Sequence, residues 1–408
     1  MSGKLKVLAV CHEDPKYILG GMGMHVRELY RTMAARDDVE IDLLTSGPGE
    51  GAQEDFGFTR DLSDKLICFK PRAANLAALL FADIQMLKTL NRLIATGKRW
   101  DLVHCHEWNS VQISRFARDT LGIPMVGTLH LCMSKLCEDS EPDLSEGHVY
   151  MLNQEGKLVV ESDEFIACSR AYERLLKKQF MTERPMHVIY NGINLEEWHP
   201  EAGVAERGRW MVSSDNHEKG RLIALFVGRI AEMKGIIPLL DAIEAKDNGY
   251  KYVLCGAVNA NTPEDAEQWE VTQRIRKLCE EIPQRLIWLD FRHGQELKDL
   301  YAAADVVVMP SIHEPFGIVA LEAMAMGTPL IATEVNGLGE IVCDNDGNEY
   351  AMIIEPNSPE HILAALEELK NEESRSELRS LGLERAGAFD WHVAATETVN
   401  IYRKLLER

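Results

Sequence analysis

Short apolar runs alternate with helical spans along almost the whole 408-residue chain, and this alternation constrains the fold more than any other feature of the sequence. Segments 4–9, 41–45, 66–69, 102–105, 125–128, 164–167 and 186–190 read as buried strands, with residues of helical spacing between most of them. A second series begins at 222–227 and continues through 252–254, 286–288, 306–309, 329–332 and 351–354. Strand–helix–strand repetition supplies the crossovers that parallel strands need, so the fold class is α/β, with ligand sites expected at the carboxyl ends of strands. Residues 193–220 interrupt the periodicity with turn residues and mixed charge and read as the linker region. The domains are therefore expected at 1–197 and 198–390, with 391–408 forming an amphipathic terminal helix.

Charge narrows the partners. With 44 Lys and Arg against 65 Asp and Glu, the chain carries a net charge of −21 and repels phosphate backbones and anionic lipid. Nucleic acid is excluded as a general partner. The stretch 70–99 is locally basic but holds Asp83, so peripheral membrane contact is disfavoured. The first residues have too short an apolar run for a secretory signal, and the nine cysteines form no CxxC pair. Reduced thiols and a cytoplasmic setting are expected.

The candidate sites all follow predicted strands. GGMG at 20–23 lies between the first strand and a helix, where Gly20 and Gly21 let backbone N–H groups approach an anion. An ordinary tight turn is the local alternative, and the G-x-G-x-x-G spacing of a dinucleotide site is absent. His104, His106 and Glu107 follow one strand and His130 another, so three imidazoles are expected near one sheet edge. H-x-H-E is not H-E-x-x-H, so no zinc is expected. His130 is the better candidate to touch substrate, and His104 reads as a core histidine bonded to backbone.

The second series carries the sharper constellation. In FVGRIAEMKG, Arg229 ends a strand and Lys234 precedes a helix, two cations able to face one polyanion such as a diphosphate. Two solvated surface cations are the bland alternative. In HEPFGIVALEAMAMGTP, a turn before a helix would present the N–H groups of Gly317, Ile318 and Val319 to an anion. Glu322 sits among Ala, Leu and Met, where a buried carboxylate needs hydroxyl or N–H donors. Sugar hydroxyls would serve it, as would a partner inside the protein. Asp344, Asn345 and Asp346 have D-x-D spacing but lie among turn residues and read as a turn.

Taken together, GGMG, GRIAEMKG, SIHEPFGIVALEAMAMGTP with its E-x7-E spacing, TEVNGLGEIV and a late FDW resemble the retaining nucleotide-sugar glycosyltransferases related to glycogen and sucrose synthases. The resemblance spans nearly the whole chain and is most specific over 221–339. It implies two Rossmann-like domains facing each other across a cleft, the GT-B arrangement, with the chain crossing back near Trp391 so that the last helix braces the first domain. The implied activity is transfer of a hexosyl unit, glucosyl first, from a UDP- or ADP-sugar to a hydroxyl acceptor such as an α-glucan. A nucleotide-sugar epimerase of the same architecture, or a non-catalytic sugar-nucleotide sensor, is the alternative.

By resemblance, Arg229 and Lys234 bind the donor diphosphate, Glu322 holds the ribose hydroxyls, and Glu314 lies beside the transferred sugar. The amides of Gly317, Ile318 and Val319 contact sugar and phosphate, His130 approaches the sugar hydroxyls, and Gly21 closes over the diphosphate. A turn at Gly337, Leu338 and Gly339 faces the sugar. The donor is a substrate, with no tightly bound cofactor and no metal implied. Two features divide the evidence on the acceptor: Leu19 stands where glycogen synthases have lysine before the paired glycines, whereas the run at 106–109 resembles their H-D-W.

Overall fold

The computed structural model describes residues 3–13, 20–45, 76–140, 146–212, 220–258 and 266–408, so the strand expected at 66–69 lies outside the described residues. The chain forms two units, one of Met1–Asn191 with Trp391–Arg408 and one of Gly192–Asp390.

The first unit runs β1 (Leu5–Cys11), α1 (Gly21–Ala34), β2 (Val39–Thr45), α2 (Leu76–Ala95), β3 (Leu102–His106), α3 (Val111–Leu121), β4 (Met125–Thr128), α4 (Met133–Ser140), α5 (Glu146–Glu161), β5 (Glu164–Ala167), α6 (Arg170–Gln179) and β6 (His187–Val188). The sheet order is β2-β1-β3-β4-β5-β6, and every pairing is parallel. Val7 of β1 stands between Ile41 and Leu102 in register. Apolar residues continue on both faces of these strands because helices cover both.

The second unit runs α7 (Ala205–Val212), β7 (Leu222–Val227), α8 (Ile236–Ala245), β8 (Tyr250–Cys255), α9 (Ala266–Glu281), β9 (Leu286–Leu289), α10 (Gly294–Ala303), β10 (Val306–Met309), α11 (Ile318–Ala325), β11 (Leu330–Thr333), α12 (Asn336–Val342), β12 (Met352–Ile354), α13 (Pro359–Glu368) and α14 (Glu372–Ala386). Its parallel sheet is ordered β12-β11-β10-β7-β8-β9. Much of the stretch read as a linker is packed structure: α7 docks on α10, where the buried Asp299 carboxylate accepts the Val204 N–H at 2.7 Å and pairs with Arg207.

The terminal helix α15 (Trp391–Leu406) belongs to the first unit. Its Ala395, Val399 and Tyr402 share a core with Leu29, Tyr30 and Met33 of α1. In both sheets the chain reverses its direction of growth once, between β1 and β3 in the first unit and between β7 and β10 in the second. Loops leaving the carboxyl ends of two such strands diverge and open a crevice, the usual ligand position in an open α/β sheet.

Candidate active site

At the reversal point of the second unit, the loop after β7 ends in a 3-10 turn (Glu232–Lys234), and Gly235 begins α8 with φ +70°. A Cβ on Gly235 would stand 1.8 Å from the carbonyl oxygen of Pro310, so only glycine lets this turn lie against the end of β10. The Met233 carbonyl accepts the Ile312 and His313 N–H groups at 2.9 and 3.1 Å, tying the two loops together. Lys234 Nζ then donates to Glu314 Oε2 at 2.5 Å. The pair is largely shielded, with side chains 19% and 10% exposed, so its attraction is less screened than on an open surface.

Glu314 is also fixed through its backbone. Asn336, at φ +45°, accepts the Glu314 N–H on Oδ1 at 3.3 Å, and the Gly337 N–H donates to the Glu314 carbonyl at 3.1 Å. Gly317 caps α11 at φ +111°, leaving Ile318 and Val319 in its first turn. One turn on, the buried Glu322 accepts the Tyr301 hydroxyl on Oε2 at 2.8 Å. That hydroxyl is held protonated by its burial and by the Glu322 charge.

The reversal point of the first unit is uncharged at its centre. The Nε2 of His130 and Nδ1 of His106 are 3.2 Å apart, and the Tyr30 hydroxyl lies between His106 Nε2 (2.5 Å) and His104 Nδ1 (3.0 Å). His104 continues to the Tyr402 hydroxyl at 2.5 Å and to Thr128 Oγ1 at 2.8 Å. His25, on α1, bonds Asn191 through Nδ1 at 2.7 Å and has no hydrogen-bond partner at Nε2. Burial lowers the His25 imidazole to about 4 and His104 to about 3, and it holds His106 and His130 well below the ordinary histidine range. All four rings are therefore neutral at neutral pH, each with one donor and one acceptor nitrogen. One nitrogen from each of His25, His106 and His130 lies within 4.8 Å of the others, a set that could offer nitrogen donors to an ion.

Residues 211–383 match the family described as Glycosyl transferases group 1, and residues 19–197 match Glycosyltransferase Family 4. The alpha-maltose-1-phosphate synthase of Mycobacterium tuberculosis is 30% identical over 98% of this chain and 100% of its own length. The chain is a nucleotide-sugar glycosyltransferase of the GT-B fold. The D-inositol 3-phosphate glycosyltransferase of Geodermatophilus obscurus is 31% identical over 95% of this glycosyltransferase and 85% of its own length. Among solved structures, a sucrose-phosphate synthase from Thermosynechococcus elongatus superposes with a TM-score of 0.80 at 23% identity, covering 99% of this chain and 100% of that one.

Within this glycosyltransferase, Lys234 and Glu314 come together directly, and Arg229 lies on the same loop with Nη2 3.9 Å from Met233 Sδ. Gly20 is the extended N-cap of α1 and Gly21 its first residue. Their turn is occupied from within, because the Gly20 N–H donates to Glu13 Oε1 at 3.0 Å. Two expectations are corrected. His104 is a core histidine, but its partners are side-chain hydroxyls, since the backbone groups of a central strand are committed to its neighbours. Gly337, Leu338 and Gly339 lie inside helix α12, not in a turn. Asp344 does sit at a turn, accepting the Asp346 and Asn348 N–H groups, each at 2.9 Å.

His25, Tyr30, Tyr301 and Asn336 escaped the sequence reading. Only His25 left a usable signal, as a histidine on the otherwise apolar face that Val26, Leu29 and Met33 share in α1. The eight cysteines among the described residues are free thiols. No helix among the described residues is long and apolar enough to cross a membrane.

Proposed function

We propose that this glycosyltransferase moves a hexosyl unit, glucosyl first among the candidates, from a UDP- or ADP-sugar to an acceptor hydroxyl, with retention of the α configuration. The observation that carries the reading is the Lys234–Glu314 pair at the reversal point of the second sheet, where a cation, a carboxylate and the first turn of α11 adjoin. In this scheme Arg229 and Lys234 neutralise the diphosphate as the sugar–oxygen bond breaks, and the amides of Gly317, Ile318 and Val319 contact sugar and phosphate. Glu322 takes the ribose hydroxyls beside Tyr301, and Glu314 orients the transferred sugar.

Retention follows if the departing phosphate oxygen accepts the acceptor's proton while the new bond forms on the face the leaving group vacates. His130, a neutral ring, binds the donor sugar hydroxyls without adding charge. The scheme assigns no step to a metal. The acceptor is a soluble carbohydrate or polyol, and the names of the two curated relatives, each carrying a phosphate ester, put sugar and polyol phosphates beside α-glucans as first choices. The cytoplasm is the expected setting.

The test is a screen of UDP-, ADP- and GDP-hexoses against glucans, sugar phosphates and inositol phosphates, read by mass spectrometry, with the anomeric configuration assigned by NMR. An α-linked product is expected, and Lys234→Met should lower kcat by about 10²–10³, the scale set by removing one donor to a developing anion. Absence of transfer and of donor hydrolysis with every hexose nucleotide overturns the proposal, and a β-linked product overturns the retaining scheme.

A further inference from the structure

The turn after β4 is held by two buried carboxylates on separate elements. Glu107, just after β3, accepts the His130 and Leu131 N–H groups on Oε2 at 3.0 and 3.2 Å, and the Trp108 N–H on Oε1 at 3.4 Å. Glu155, on α5, accepts the Met133 N–H on Oε1 at 2.6 Å and the Ser134 N–H on Oε2 at 2.9 Å. Four backbone donors of one five-residue stretch thus point at two side chains that are 6% and 0% exposed. Burying two carboxylates near each other is costly, and neither has a cation among its contacts in the described residues. Glu107 also sits at φ 71°, ψ 160°, a strained conformation for a residue with a Cβ, and its own N–H is committed to the Thr128 carbonyl at 2.9 Å. Strain held in place by surrounding bonds is an observation from which function can be argued.

We infer that Glu107 and Glu155 are positioning residues that clamp the 130–134 turn and so fix the place of His130 in the transfer reaction. The inference rests on the proposed role of His130. The two carboxylates are not equivalent. Both oxygens of Glu155 accept short bonds, which favour its carboxylate form against the burial that pushes its carboxyl upward. Glu107 uses Oε2 for the two good bonds and Oε1 only for the long contact to Trp108, so Oε1 is the place for a proton. Burial and repulsion from Glu155 agree with this, pushing the Glu107 carboxyl up to about 8. A glutamine amide can therefore replace Glu107 with its NH2 at the Oε1 position. At Glu155 the same NH2 would face a backbone N–H wherever it turned.

Four variants test the clamp: Glu155→Gln, Glu107→Gln, Glu107→Ala and Glu107→Gly, the last deleting the carboxylate while relieving the backbone strain. Two readouts are taken on the full chain: kcat and donor KM in the transfer assay, and amide hydrogen exchange of the peptide covering 129–136. Glu155→Gln and Glu107→Gly should lose about 50-fold in kcat/KM for the donor, as expected when a group that positions the donor sugar is misplaced by an ångström. Both should exchange faster at 129–136, and Glu107→Gln should restore most of the kcat/KM that Glu107→Ala loses. Unchanged exchange in Glu155→Gln and Glu107→Gly overturns the clamp, as does loss of kcat/KM that merely tracks loss of thermal stability. If the wild-type chain transfers no sugar at all, the functional reading fails, while hydrogen exchange still decides whether the clamp exists.

Discussion

Replacing Gly235 by alanine perturbs the joint between the two loops of the second unit, and the structure allows the cost to be worked out. The residue sits at φ +70°, where a Cβ costs about 1–2 kcal/mol by itself. The new carbon would lie 1.8 Å from the Pro310 carbonyl oxygen and 2.6 Å from its carbon, both backbone atoms that cannot rotate away. Reaching the 3.0 Å below which real Cβ contacts are essentially never seen requires a displacement of about 1.2 Å. Such a shift breaks the two bonds from Ile312 and His313 to the Met233 carbonyl, at about 1 kcal/mol each. The sum is about 3–4 kcal/mol, in the range reserved for named structural faults. Because the same shift separates Lys234 from Glu314, turnover should fall by about 10² even at temperatures where the variant is folded. Gly249 is the control, since it has φ +84° but nothing within 4 Å of its Cβ position. Urea denaturation of both variants isolates the contact from the conformational penalty. Gly235→Ala within about 1 kcal/mol of Gly249→Ala, with unchanged turnover, would mean that the Pro310 contact does not hold the joint.

Stability should fall on acidification because the buried histidines are neutral in the native state and bind protons once unfolded. The native values of about 4 for His25 and about 3 for His104 lie below the unfolded 6.5, so their contribution is complete above pH 6.5 and is lost as pH falls. Each adds a slope of about 1.4 kcal/mol per pH unit over its window. Urea titrations between pH 7 and 4.5 check this, and a His25→Asn variant with an unchanged slope would contradict it. Tyr301→Phe removes the hydroxyl that donates to the buried Glu322 and should destabilise the second unit by about 1.5–3 kcal/mol, the range for a bond to a charged group. Thermal melts measure it, and a shift indistinguishable from zero would mean that the carboxylate is satisfied without the hydroxyl.

Elements set by local chemistry were legible in the sequence. Helix α13 shows the kind of signal involved: Pro359 fits its first turn and Ser358 Oγ accepts the His361 N–H at 3.3 Å. The alternation that announced two parallel sheets rests on the same kind of signal, and β4 and β5 fall at 125–128 and 164–167 as expected. Of the candidate site, Lys234 and Glu314 were visible as residue types at the ends of strands, but 80 positions separate them. Only the sheet order that puts β7 beside β10 brings them to 2.5 Å. The side-chain network of the first unit was less legible for the same reason. Tyr402 is 298 positions from His104, and no periodicity links a hydroxyl on the last helix to a ring on the third strand. The turn that the resemblance implies at Gly337 is instead the start of α12, where the left-handed Asn336 and the Gly337 N–H bond to the Glu314 carbonyl hold the helix's first residues.

The two reversal points divide the physical work in a way that follows from the cost of burying charge. In the second unit Lys234 has a counter-ion in Glu314, so its charge is not left unpaired in a shielded site. Under the proposed scheme, a phosphate that takes Lys234 exchanges one anionic partner for another, and the desolvation of the cation has been met before the donor arrives. In the first unit the ring network itself avoids the same problem by using groups that carry no charge, and the buried Glu107 and Glu155 carboxyls are set against backbone donors of the 130–134 turn. Neutral imidazoles and hydroxyls can be buried together at little cost provided each donor finds an acceptor, and the chain from Thr128 through His104, Tyr30 and His106 to His130 achieves this over five residues. Any rotation of one hydroxyl in that chain changes which nitrogen of the next ring carries its proton. The donor or acceptor character of His130 is thus a property of the whole network, and the helix α15, by placing Tyr402 against His104, takes part in setting it.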